Sequence, residues 1–283
     1  MSRYEYELPL VPLDQRPVER SLPRMARLWE QSGSRKALVL LLLAAAWEGM
    51  ARLQDNDLLL PGVGQTLSAL VDSLLSGELG VRVWTSLSLL VQAYLLGILL
   101  ALVLTSLAVL TRMGRDVLAT LTSMFNPLPA IALLPLALLW FGLGKGSLIF
   151  VIVHSVLWPL ALNTYSGFLS VSPTLRMAGR NYGLQGWRYV IHILVPAALP
   201  SILSGLKIAW AFAWRTLIAA ELVFGSSGGE GGLGWYIFQN RNELYTDRVF
   251  AGLIAVVVIG LLVENLLFSA LERVTVRRWG VAA

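Results

Sequence analysis

The chain has 283 residues, 56% of them hydrophobic and 14% charged, and it holds no cysteine. An average soluble domain is about 25% charged, so the apolar excess has to face lipid; the lack of cysteine excludes disulfides, thiolate nucleophiles and Cys-ligated metal. The net charge of +5 comes from basic residues clustered beside apolar runs, the mark of cytoplasmic membrane loops, and no nucleic-acid partner is expected.

Residues 1–36 carry seven Lys or Arg and four Pro with little apolar periodicity, which predicts a cytoplasmic surface tail, too long ahead of Ala37 for the n-region of a signal peptide. The first apolar run goes from Ala37 to about Leu53, with Glu48 and Arg52 on one helix face as an ion pair at the outer interface. Pro61 and Gly62 turn the chain. Leu67, Leu70, Val71, Leu74 and Leu75 then follow the stripe of an amphipathic helix, too short to span and expected on the external surface, packed against the bundle. Further spans are predicted at Thr85 to about Leu110, Val117 to about Phe141, Ser147 to about Leu169, Ser201 to about Phe224, and about Phe250 to Leu271. Each is long enough for the ~20 residues that a ~30 Å hydrocarbon core requires.

Six spans make one all-α integral membrane domain over residues 37–278, with both termini cytoplasmic and a short tail at 279–283. Predicted inside segments hold sixteen Lys or Arg and outside segments five, with Arg215 inside a span, of 22 in all. That bias agrees with the topology.

Within the third span Pro127, Pro129 and Pro135 remove backbone donors and kink a helix. Broken backbone at membrane depth is tolerated where it is buried in protein or lines a watery cavity. Asn126 and Pro129 are therefore candidates for a translocation pathway, as is Asn163, which the next span brings within possible reach of Asn126. Arg215 costs about 2.5–3.5 kcal/mol at mid-membrane on insertion scales. Glu221, six residues on, lies about 120° round the helix and is a poor local partner. Either Arg215 pairs with another helix or it offers a fixed positive charge to a crossing anion. Trp210 and Trp214 share a face as packing aromatics or a gate; Trp214, Arg215 and Glu221 join the pathway candidates.

The glycine-rich stretch from Gly225 to Gly234 contains one G-x-G-x-x-G match, at Gly229, Gly231 and Gly234. It follows a span where a dinucleotide site needs a buried strand, so it reads as a flexible external loop re-entering at Leu233. No phosphate-binding loop motif occurs, and His154 and His192 have no further ligands for a metal. Glu264 and Asn265 are expected to hydrogen-bond between helices.

The stretch from Leu175 to Pro200 carries Arg176, Arg180, Asn181 and Arg188 between two spans. It is too polar to cross and has to lie at the membrane surface as helix, turn at Gly183, and a second helix ended by Pro196 and Pro200. Its spacing resembles the cytoplasmic loop of binding-protein-dependent ABC importer permeases, E-A-A, three residues, Gly, nine residues, I-x-L-P. Here the matching positions are Met177, Ala178, Gly179, Gly183, Ile193, Val195 and Pro196, with Met177 in place of the Glu. Leu60-Pro61, the run from Pro127 to Gly144, Asn163 to Gly167 and Ala219-Ala220-Glu221 resemble the nitrate, sulfonate and taurine branch.

The resemblance implies the type I importer permease fold in a bacterial cytoplasmic (inner) membrane. It also implies a second copy of the chain, two ATPase subunits that hold the ATP and Mg, and an external solute-binding protein. This chain would then be a non-catalytic permease subunit without a cofactor of its own. Met177, Ala178, Gly179, Arg180, Asn181, Gly183, Leu184, Ile193, Val195 and Pro196 would form the ATPase-coupling loop over about 172–199, with the small residues allowing close approach to the ATPase. Gly231, Gly232, Gly234 and Trp235 would form an outer gate, and the solute would be a small anion. An ion-gradient transporter would call for paired carboxylates or repeated halves, and a membrane enzyme for a clustered nucleophile, base or metal set; neither pattern is present.

Overall fold

The computed structural model describes residues 32–224 and 231–277, in helices and their connections with no strand among the described residues. Helix α1 (Ser32–Gln54) begins ahead of the expected Ala37. The rest of the expected N-terminal tail, most of the glycine-rich stretch and the C-terminal tail with Arg278 lie outside the described residues. Leu40, Leu41, Leu42 and Leu43 all point outward, as a helix standing in lipid requires. Glu48 and Arg52 form the expected pair at 2.9 Å, and Glu48 also accepts from the Val63 amide at 2.9 Å.

Helix α2 (Val63–Leu75) is present, but of its expected apolar stripe Leu70 alone packs against the core. Leu67, Val71, Leu74 and Leu75 are exposed, while Thr66, Ala69 and Ser73 are buried against the bundle. Lipid is as apolar as leucine, so large apolar side chains gain nothing by turning inward. Small residues do gain, because they let backbones approach.

The same rule builds the centre. Helix α3 (Glu78–Leu110) packs along α6 (Lys145–Ser170), which packs along α10 (Leu199–Phe224). Ala93, Ala101 and Ala108 of α3, Ala161 of α6, and Ala209, Ala213 and Ala220 of α10 are wholly buried. Between α3 and α6, the expected single third span is broken. Helix α4 (Arg112–Phe125) and the segment Ala130–Phe141 meet at 90°. That segment is a 3-10 turn (Ala130–Leu133) followed by α5 (Leu134–Phe141), with Pro135 in the first turn of α5, where no donor is needed.

Next come α7 (Pro173–Asn181), α8 (Gly186–Tyr189), a π turn (Val190–Leu194) and α9 (Val195–Ala197). Pro196 and Pro200 do not end this segment. Each sits in the opening turn of a helix, Pro196 in α9 and Pro200 in α10, and the π turn bridges into the first by the Val195 amide donating to the Val190 carbonyl. The chain closes with α11 (Leu233–Asn242) and α12 (Thr246–Leu262), which continues through further short helical pieces to Arg277. Asn265 donates to Leu261 on its own helix at 2.9 Å, not across helices.

Among the described residues, five helices are long and apolar enough to cross a membrane, or six with the bent pair taken as one span. Their ends sort onto two faces. Leu110, α7, α8 and the Lys207–Glu272 ion pair between α10 and the end of the α12 rod lie at one. The Thr246 to Leu58 bond at 3.0 Å and the Arg82 to Gly231 bond at 2.9 Å lie at the other.

Candidate functional site

Three places bring the candidate residues together. The first is the loop built on α7. Ser172 caps its start by accepting from the Leu175 amide at 3.3 Å. Its end is closed at Gly183, whose φ of 75° lies in the left-handed region that favours glycine. There the Leu184 amide donates to the Gly179 carbonyl at 3.1 Å and the Gly183 amide to Arg180 at 2.9 Å, the paired bonds of a Schellman motif. The turn at Gly183 is therefore as the spacing predicts.

Arg176 fixes the helix to the membrane domain. Its guanidinium donates to the Val171 carbonyl at 3.1 Å and to the Phe168 carbonyl, at the negative C-terminal end of α6, where the Phe168 oxygen also accepts from the Val171 amide at 3.4 Å. Beneath it Phe168, Val171, Tyr189, Val190, Leu194, Ala198 and Ile202 form a separate apolar cluster. The loop is thus packed as one body onto the end of α6 and the start of α10.

Gly179 is buried in that body. A Cβ there would meet Ile193 at 2.8 Å, so this glycine serves the loop's internal packing and not, as expected, an approach from outside. The face left free carries Leu175, Met177, Arg180, Asn181 and Tyr182, the last 87% exposed. Beside it a cleft of about 360 Å³ is lined by Leu110, Arg176, Arg180, Leu184 and Tyr189 among others.

The second place is the break in the third span. Asn126 and Pro129 line a cavity of about 220 Å³ with His154, Trp158, Phe212 and Thr216. The other pathway candidates lie elsewhere. Asn163 donates to the Pro159 carbonyl at 2.8 Å and packs against Gly205. Trp214 is buried and donates to the Val256 carbonyl at 3.2 Å, while Trp210 packs edge-on to Tyr94 and Phe268; both are packing aromatics. Arg215 is exposed on α10. It donates to the Ala211 carbonyl at 3.0 Å, its guanidinium stands 4.8 Å from the Phe212 ring centroid, and it pairs with no carboxylate among the described residues.

The third place is Glu221, which is 3% exposed. Its carboxylate accepts from the Ser86 hydroxyl and from the Gly234 amide, each at 2.8 Å, and the Ser86 oxygen accepts from the Leu233 amide at 2.8 Å. The carboxylate therefore sits at the positive N-terminus of α11, held by that helix's own unpaired donors. The expected flexible gate is, from Gly231 onward, a close-packed junction. A Cβ on Gly234 would meet Glu221 at 2.6 Å, and one on Gly232 would collide with both Glu221 and Ser86. Trp235 stacks on Phe238 with centroids 5.4 Å apart.

Sequence reasoning missed Ser86 as the partner of Glu221 and Arg176 as the strut of the loop. The glycines at 231, 232 and 234 were the available signal for the first, since glycine spacing marks close backbone approach as well as flexibility.

The long apolar helices, the bent span and the short loop helices between α6 and α10 define a polytopic α-helical membrane protein. Residues 73–280 match the binding-protein-dependent transport system inner membrane component model, and the chain belongs to that family. The resemblance drawn from the Gly183 loop is borne out. The chain is 35% identical over 173 residues to SsuC of Escherichia coli (strain K12), assigned as an aliphatic sulfonates transport permease, covering 61% of this chain and 64% of SsuC. It is 32% identical over 228 residues to an ABC transporter permease protein of Methanocaldococcus jannaschii, covering 79% and 84%. To the taurine transport system permease TauC of Escherichia coli (strain K12) it is 33% identical over 161 residues, covering 57% of each. The matches thus span under two thirds of the sulfonate and taurine relatives.

Proposed function

We propose that this chain is the membrane-spanning subunit of an ATP-driven importer that carries a small organic oxyanion, of the alkylsulfonate kind, inward across the cytoplasmic membrane. Two copies form the pathway, two ATPase subunits dock under the α7 loops and hold the ATP and Mg, and a solute-binding protein delivers from outside. The chain itself is non-catalytic and has both termini inside, in keeping with its charge bias.

The observation that carries this reading is the α7 loop. Arg176 and the apolar cluster make it one body with α6 and α10, while Leu175, Met177 and Tyr182 stand free of the membrane domain. Exposed apolar side chains rimmed by polar ones, outside lipid, suit a protein partner. A rigid body joining that partner to two spans passes on a push as a lever between two global states. The substrate class rests on the sulfonate and taurine relatives and on Arg215, which meets no carboxylate among the described residues.

Co-purification tests the assembly. An ATPase partner at equal stoichiometry, with hydrolysis stimulated by the loaded binding protein and ethanesulfonate uptake into proteoliposomes, is the expected result. Uptake by the isolated chain driven by an ion gradient alone would refute it.

A further inference from the structure

The cleft beside the α7 loop, about 360 Å³ in volume, opens where the apolar length of α3 ends. Leu110, the last residue of α3 before the Thr111 cap, lines it together with Arg176, Arg180, Leu184 and Gln185. The last apolar turn of a span lies where hydrocarbon gives way to headgroups, so the cleft stands at that boundary.

Its charge is one-sided. Two guanidinium groups line it, and no acidic side chain does among the described residues. Arg176 donates through Nε and Nη2 to the carbonyls at the end of α6, which offset part of its charge. Arg180 has no ion-pair partner among the described residues and is the main group open to an anion. Guanidinium groups bind phosphate oxygens through paired, charge-assisted bonds. An ammonium group entering the same space meets two positive charges and no carboxylate.

The apolar side says which phosphate fits. Leu110 and Leu184 pack on the apolar cluster beneath the loop. Back along α3 from Leu110, Leu107, Val103, Leu100 and Leu96 follow at alternating spacings of three and four, which keeps them on one helix face, and all four are exposed. From Leu110 to Leu96 the helix rises about 21 Å, enough to cross one leaflet, roughly half of a ~30 Å hydrocarbon core. A basic cleft at one end of an apolar track of that length matches a phospholipid; a free phosphate makes no use of the track.

We propose that this cleft is a headgroup site for an anionic phospholipid of the phosphatidylglycerol kind. Arg180, with Arg176, holds the phosphate, and an acyl chain lies along the face of α3 from Leu107 to Leu96. The importer reading enters only in naming the cytoplasmic leaflet as the one that supplies the lipid. The bound lipid bridges the α7 loop to α3.

Native mass spectrometry of the full chain tests this, with release from micelles holding equal dioleoyl phosphatidylglycerol and dioleoyl phosphatidylethanolamine. Wild type is expected to retain mainly phosphatidylglycerol. Arg180→Gln should lower the ratio of the two retained lipids about five-fold, the worth of one basic side chain at an anionic membrane surface. Gln185→Glu, which sets a carboxylate in the cleft, should lower it as well. The two variants are independent, so if one does not fold the other decides. Arg188→Gln removes a charge from the same loop but outside the cleft lining, and should leave the ratio unchanged. Excess glycerol 3-phosphate, a phosphate without acyl chains, should displace nothing.

Equal retention of both lipids by wild type, or ratios unchanged in the folded cleft variants, overturns the site. A fall in Arg188→Gln as large as in Arg180→Gln reduces the effect to diffuse surface charge and overturns it too. Displacement by glycerol 3-phosphate would make it a site for free phosphate and not for lipid. The measurement is repeated on the complex with the ATPase partner, where the lipid is expected to stay; its expulsion on docking would give Arg180 to the protein interface instead. None of these readouts depends on ATP-driven uptake, so the importer reading stands or falls separately.

Discussion

The carboxylate of Glu221 on α10 and the hydroxyl of Ser86 on α3 meet 2.8 Å apart, and α11 begins directly on top of them. Three elements far apart in sequence are fastened at one buried point on the face opposite the α7 loop. Removing Ser86 takes a donor from Glu221 and an acceptor from the Leu233 amide, and a buried polar group left unpaired costs about 1–3 kcal/mol. Ser86→Ala should therefore lower the thermal midpoint of the detergent-solubilised chain by several degrees. Gly232→Ala should lower it at least as far, since its methyl collides with both partners and overpacking costs about 1–3 kcal/mol. Midpoints unchanged in both variants would mean the junction is not closed in solution.

Ser73 on α2 and Tyr236 on α11 make a second fastening at 2.8 Å. Burial, the largest influence, pushes the Tyr236 phenol above its ordinary 10. A raised value in the folded state means the unfolded chain gives up its proton first, so the stabilisation is whole below pH 10 and fades as pH rises through the folded value. Tyr236→Phe should therefore lower the midpoint by the same amount at about pH 6 and pH 9, on the scale of the ~0.5–1.5 kcal/mol of one hydrogen bond. A penalty that vanishes by pH 9 would show that the phenol ionises early and is not buried.

Much of this architecture can be read along the chain, and the failures have a common cause. Long apolar runs, the prolines of the third span and the left-handed turn at Gly183 are local signals. The direction of α2 was misread because the rule for soluble helices, apolar face inward, reverses in lipid, where Thr66, Ala69 and Ser73 make the contact and its leucines other than Leu70 face out. The 90° bend could be suspected from Pro127 and Pro129, but its angle depends on packing against α6. Glu221 carried no local mark of its partner, since Ser86 lies 135 residues away. The cost of burying its charge is offset by the N-terminus of α11 and one hydroxyl.

Arg176 offers a prediction about coupling as distinct from folding. Its two bonds reach the carbonyls at the end of α6, and charge-assisted bonds of this kind are worth about 1.5–3 kcal/mol. Arg176→Gln should leave the membrane domain inserted and assembled, because the apolar cluster below is untouched. Uptake per ATP hydrolysed should fall several-fold as the lever loosens, with Arg176→Lys between the two. A ratio of uptake to hydrolysis equal to wild type in both variants would remove Arg176 from the coupling path.

Gly183 separates backbone geometry from contact chemistry. Nothing lies within 4 Å of where its Cβ would be, so a small side chain there meets no steric obstacle. The penalty comes from φ at 75°, where a non-glycine residue costs roughly 1–2 kcal/mol, and asparagine less than most because its amide bonds locally. Gly183→Ala should weaken transport and Gly183→Asn should restore much of it, although asparagine is the larger residue. Gly183→Val, branched at Cβ, should be the worst of the three. If the loss instead followed side-chain size, with asparagine worse than alanine, the turn would matter as a docking surface and not as the hinge that sets the angle between α7 and α8. Uptake by complexes matched for ATPase content decides between the two orders.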